Sequence, residues 1–175
     1  HQFNKLHLLH KFFRLPELFM YAVPLIFVYF AIRFSYKEET YFDGFLLSMA
    51  VSFAVAFFFK MGLKYMLGRE SVTLFLRNSA HYGFRLFHGT QQASTLPSGH
   101  MLLTTAVLMT LWFWYPKLRF ISVIVLLLMA FALFINLQHF PSDIIVGCYL
   151  GIVIAFFVFK IFSENFIASK REGVV

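Results

Sequence analysis

The sequence predicts an all-α protein: a polytopic membrane helix bundle of about five transmembrane helices, preceded by an amphipathic interfacial helix. Three observations carry that expectation. The 175 residues are 60% hydrophobic and 21% aromatic, and only 13% are charged. A water-soluble domain of this length would lack the polar surface to cover itself. The apolar residues gather into five runs, each near the roughly 20 residues that cross a bilayer core. Backbone N–H and C=O groups find no partner in hydrocarbon, so such runs fold as helices. The length fits one membrane-embedded domain, 1–175.

Taken in order, the stretch 1–15, HQFNKLHLLHKFFRL, spaces Phe3, Leu6, Leu9, Phe12 and Phe13 almost helically, with Lys5, His7, Lys11 and Arg14 elsewhere. This predicts a helix lying in the membrane interface; a frayed terminus is the plainer alternative. No cleavage-site pattern follows these basic residues, so no removable signal peptide is expected. The five spans run from about Pro16 to Phe34, Gly44 to Leu67, Gly99 to Tyr115, Leu118 to Leu137 and Asp143 to Phe162. The links 35–43, 116–117 and 138–142 are short, 68–98 is the only long loop, and 163–175 is a polar tail. By alternation, the long loop and 138–142 lie on one face of the membrane. Lys and Arg divide almost evenly between the two faces, so the positive-inside rule leaves orientation open.

The remaining composition narrows the function. Cys148 is the single cysteine, which excludes an intrachain disulfide. A net charge of +7 in a membrane protein points to anionic headgroups or phosphate rather than nucleic acid. Polar residues inside the spans are too few to line a translocation path. Gly147 and Gly151 read instead as small residues for close helix packing.

Chemistry collects on the long-loop face. Lys64 and Arg69 end the second span, Arg77, His81, Arg85 and His88 lie in the loop, Ser98, Gly99 and His100 open the third span, and His139 and Asp143 open the fifth. Cations at a bilayer are costly and mark function, although Lys64 and Arg69 alone would pass for snorkelling side chains. In PSGH, Ser98 is equally an N-cap and one wall of a phosphate cradle, where free N–H groups meet an anion. Gly99 has no side chain to block that approach. His139 and Asp143 are one helical turn apart, so the carboxylate can hold the imidazole in one tautomer and leave the other nitrogen as nucleophile or base. The plain alternative is a carboxylate favouring the positive end of a helix. Together the three clusters supply cations, an anion-binding helix start and two histidines. Those are the parts for displacement at phosphorus.

These motifs resemble the type 2 phosphatidic acid phosphatase (PAP2) family of membrane lipid phosphatases, whose patterns are K-x6-R-P, P-S-G-H and S-R-x5-H-x3-D. Order and spacing agree from Lys64 to Asp143, the flanking HYGFRLFHG and DIIVGCYLG are similar too, and the resemblance covers about two thirds of the chain. It implies His139 as nucleophile forming a phosphohistidine, Asp143 orienting it, and His100 as general acid. It further implies Lys64, Arg69, Ser98 and the Gly99 amide as phosphate ligands, with no cofactor and no metal. The implied location is a bacterial inner membrane with the site facing the periplasm or exterior. Family members commonly have six spans, so five implies a first helix lost or replaced.

Two family arginines are absent. Ser71-Val72 stands where the first motif has Arg-Pro, and Ala132-Leu133 where the third has Ser-Arg. A lost transition-state donor commonly costs about 2.7–4 kcal/mol, so Arg77 or Arg85 is expected to fold back over the site. Gln138 and Asn136 are weaker substitutes because they carry no charge. The sequence therefore favours a lipid phosphate monoesterase or diphosphatase, with lipid A or undecaprenyl diphosphate preferred among substrates. Phosphatidylglycerol phosphate, phosphatidic acid and phosphotransfer to a second lipid are alternatives. A catalytically weak lipid-binding membrane protein is the alternative from another class.

Overall fold

The computed structural model describes residues 41–77, 83–87, 94–137 and 139–172, all within the unit Thr40–Val175. The expected interfacial helix 1–15 and the first span 16–34 lie outside them. The described residues are all-α, with four long helices. Helix α1 covers Tyr41–Leu67, a six-residue α2 covers Val72–Arg77, α3 covers Gly99–Trp114, α4 covers Arg119–Ile135 and α5 covers Pro141–Glu172. A single 3₁₀ turn, Pro116–Leu118, joins α3 to α4.

Three of the four long helices, α1, α5 and α4 taken together with the 3₁₀ turn before it (Pro116–Ile135, 20 residues), are long and apolar enough to cross a membrane. The protein is accordingly an integral membrane protein. Helix α3 is equally apolar but has 16 residues, a length of about 24 Å at 1.5 Å per residue. It lies at the centre instead. Eleven of its residues are buried, including Met101, Leu102, Thr105, Ala106 and Trp114, whereas α4 buries only Ser122 and Leu133. Helix α3 packs against α1, α4 and α5, and α4 turns Phe120, Leu127 and Phe131 outward. In lipid those outward side chains are solvated, so no further cover is needed.

Close packing of α5 on α3 rests on two glycines one turn apart. A Cβ on Gly147 would stand 2.8 Å from the Ser98 carbonyl oxygen, and one on Gly151 would stand 2.6 Å from Thr105 Cβ and 2.8 Å from the Leu102 carbonyl oxygen. The backbones approach because nothing projects between them. Helix α1 is tied to α3 by a buried hydrogen bond of 2.8 Å from Thr110 Oγ1 to Ser52 Oγ.

The elements differ from the sequence expectation most on the long-loop face and at the C-terminal tail. Residues 68–98 contain a short helix, α2. Helix α5 begins at Pro141 rather than Asp143, because Pro occupies the first helical position readily. It then continues through the expected polar tail to Glu172, since residues such as Glu164, Lys170 and Arg171 are good helix formers once a long helix is nucleated.

Candidate active site

Helix ends position the site. Gly68 closes α1 at φ 50°, donating its N–H to the Lys64 carbonyl at 3.1 Å. That left-handed conformation suits glycine, and it turns Arg69 back across the bundle end. The Arg69 carbonyl accepts from Thr95 N–H at 3.0 Å, and Arg69 forms an antiparallel bridge with Phe84. Ser98 precedes α3 as its N-cap, and its own N–H donates to the Asp143 carbonyl at 3.1 Å. The start of α3, the start of α5 and the end of α1 are thereby held together.

The start of α5 is a partial capping box. Phe140 precedes Pro141, and its N–H donates to Asp143 Oδ2 at 3.0 Å, the back-reaching bond of a carboxylate at the third helical position. The other oxygen, Oδ1, accepts from an Arg69 guanidinium N–H at 2.5 Å. Arg69 also donates to Ser142 Oγ at 2.8 Å and lies 4.3 Å from the Phe140 ring centroid. Asp143 is fully buried and Arg69 nearly so. Their charges therefore cancel inside the protein.

His139 is oriented mainly by a backbone group. Its Nδ1 lies 3.1 Å from the Thr95 carbonyl oxygen and 3.9 Å from Asp143 Oδ2. The shorter contact is a hydrogen bond, and the longer one exceeds hydrogen-bond length. A carbonyl only accepts, so the proton sits on Nδ1 and the Nε2 lone pair is left available. Asp143 and the Thr95 carbonyl thus face the same ring nitrogen, the carbonyl being the nearer. Asp143 stays within ion-pair range and fixes Phe140 and Arg69, while Thr95 takes the ring proton.

His100 follows Gly99 in the first turn of α3 and is half-buried, within electrostatic reach of His139, Lys60 and Lys64. Lys64, in the last turn of α1, is likewise within reach of Lys60 and Asp143. The structure thus gathers Lys64, Arg69, Ser98, Gly99, His100, His139 and Asp143 at one end of the bundle. The elements that carry the two histidines are separate in sequence.

Of the two loop arginines expected at the site, one has a described partner elsewhere. Arg85 pairs with Glu70 at 2.8 Å, and its side chain is 65% exposed. Arg77 ends α2, and its side chain is outside the description, as are His81, His88 and Gln138. Asn136 is exposed and donates to the Ala132 carbonyl at 2.8 Å, closing α4 rather than reaching the site. Leu133 packs in a cluster with Met101 and Ile144. An apolar core occupies the position where the family motif has an arginine. Among the described residues, no group of three or more His, Cys, Asp or Glu side chains is placed to hold a metal ion.

A model of the PAP2 superfamily matches residues 45–167, which contain every one of these gathered residues. The chain belongs to the PAP2 superfamily. No curated protein and no solved structure matches it significantly. PAP2 proteins are in general metal-independent phosphatases acting on phosphate esters, commonly those of lipids. The arrangement in this PAP2 chain has the parts for that chemistry: an imidazole with its proton fixed on Nδ1, a second histidine nearby, and a cationic surround.

Sequence reasoning missed Thr95, Phe140, Ser142 and Lys60. Thr95 and Phe140 act through backbone groups, which leave no residue-type signal. Lys60 did leave one. It is a cation inside an otherwise apolar span, one turn from Lys64, and such residues mark function by default.

Proposed function

We propose that this PAP2 protein is a lipid phosphatase that hydrolyses a lipid phosphate monoester or diphosphate through a phosphohistidine. The observation that carries the reading is the Nδ1 hydrogen bond of His139 to the Thr95 carbonyl, which leaves Nε2 as the nucleophile. Nε2 attacks phosphorus, the N–P bond forms and the P–O bond to the lipid breaks. His100, in its protonated form, gives its proton to the leaving oxygen. Water, deprotonated by His100, then attacks the phosphohistidine, restoring His139 and releasing phosphate. Lys64 and the Gly99 amide stabilise the equatorial oxygens. Ser98 lines the same helix start, and Arg69 sets the site through Asp143.

Placement supports a lipid substrate. The site sits at the end of apolar helices, so a phosphate meets it while the attached chains remain in lipid. We propose that the segment 16–34 and α3 also span the membrane, giving five spans within residues 1–175, in a bacterial inner membrane with the site on the periplasmic side. Lipid A and undecaprenyl diphosphate are the preferred substrates, with phosphatidylglycerol phosphate and phosphatidic acid as alternatives.

Purified protein in detergent tests this with all four lipids and EDTA present. Phosphate release from at least one, together with an acid-labile, alkali-stable phosphoryl label on His139, is expected. No release from any of them, or unchanged turnover in His139→Ala, overturns the reading.

A further inference from the structure

We propose that Lys60 is a further phosphate-binding residue: its stem lies across Gly99 and, among the described residues, its ammonium joins that of Lys64 as a cation without a carboxylate partner. The inference rests on the phosphatase reading and deepens it.

The geometry begins at Gly99. A Cβ there would stand 2.7 Å from Lys60 Cε, 2.9 Å from Cδ and 3.3 Å from Cγ. The lysine side chain therefore runs over the first residue of α3, through the space that the glycine leaves. It reaches the same helix start that bears Ser98 and His100. Lys60 and Lys64 are one turn apart on α1, so they share a face. Both are half-buried, and they lie within electrostatic reach of each other and of His100.

The charge balance gives this placement its meaning. Arg69 and Asp143 neutralise one another, and Arg85 is taken by Glu70. Among the described residues, neither Lys60 nor Lys64 has a carboxylate within ion-pair distance. The ammonium of Lys60 stands 5.4 Å from the Phe57 ring centroid, a contact that supplies no formal negative charge. Two half-buried ammonium groups side by side at a membrane boundary are unfavourable until an anion joins them. A phosphate dianion supplies two negative charges and several acceptor oxygens. The cations missing at Ser71 and Leu133 are thus made up, in part, from one turn earlier on α1. Arg85, paired with Glu70, is not needed for that.

The test uses the full chain in detergent and inorganic phosphate as the probe. Phosphate affinity is measured by calorimetry, alongside KM and kcat, for wild type, Lys60→Met, Lys60→Arg and Lys117→Met. Lys117 is exposed at the opposite end of α3 and controls for net charge. Loss of one charge-assisted bond predicts about 10- to 100-fold weaker phosphate binding in Lys60→Met, substantial recovery in Lys60→Arg and no change in Lys117→Met. As a second measurement on unmutated protein, saturating phosphate slows acetylation of Lys60, read by mass spectrometry. Affinity of Lys60→Met within twofold of wild type, or unchanged acetylation with phosphate bound, overturns the assignment. Lipid phosphate release with either of those results removes Lys60 alone. Lys60-dependent phosphate binding without any lipid phosphate release removes the phosphatase reading and leaves the anion site. Absence of both phosphate binding and release removes both.

Discussion

Arg69 and Asp143, 74 residues apart, meet in a buried ion pair of 2.5 Å between the end of α1 and the start of α5. The pair is completed by Ser142 Oγ on one side and the Phe140 N–H on the other. Its place in the structure is mechanical as much as electrostatic. It fixes the residues on either side of Pro141, and His139 is the next residue but one from that proline.

Removing one member should therefore cost more than an ordinary surface charge. Arg69→Met leaves the Asp143 carboxylate buried without its cation, and about 3–5 kcal/mol of stability should be lost. Thermal unfolding in detergent reads this directly. A loss below about 1 kcal/mol, the range of exposed pairs, would show that the pair is not buried in the working protein.

Arg85 gives the contrasting case. Its pair with Glu70 is largely exposed, so Arg85→Ala should change stability by less than about 1 kcal/mol. Turnover should stay near wild type, since the guanidinium is taken up by Glu70 and mostly exposed. A drop in kcat of tenfold or more would restore Arg85 to the site.

The glycines of α5 and α1 should respond in opposite directions. Gly151→Ala pushes a methyl group against the Leu102 carbonyl and Thr105, an overpacking that costs about 1–3 kcal/mol. Gly62→Ala meets nothing within 4 Å, and removing a helix-interior glycine should gain about 0.5–1 kcal/mol. Paired thermal unfolding curves check both signs, and equal shifts would contradict the packing.

Restoring the family arginine should not restore function. Leu133 is 3% exposed and packs on Met101 and Ile144. Leu133→Arg buries an unpaired cation there, at about 3–5 kcal/mol. The expected result is a lower midpoint of thermal unfolding with no rise in kcat. Increased turnover at unchanged stability would mean that the side chain finds the phosphate site instead.

Much of this protein was legible in its residues. Hydrophobic runs of membrane length predict α1, α4 and α5, because lipid leaves the backbone few alternatives. PSGH and HFPSD announce helix starts through residue types whose hydrogen bonding is local: Ser98 before α3 and Asp143 in the first turn of α5. The motif spacing carries the PAP2 resemblance. Less legible was how the pieces share their bonds. The sequence makes Asp143 the obvious partner of His139, yet the carboxylate is taken up by Arg69 and Phe140, and a threonine carbonyl stands nearer the ring.

The sequence by itself determined the membrane environment, the four long helices and the residue types gathered at one end. Those follow from composition, from helical periodicity and from capping, all of which act within a few residues. Only the tertiary structure decided which helix is central, that Leu133 is core, that Thr95 faces His139 and that Lys60 runs over Gly99. Each of these depends on contacts between distant segments. Backbone carbonyls and the space above a glycine have no letter in a sequence, so their partners appear only when the helices pack.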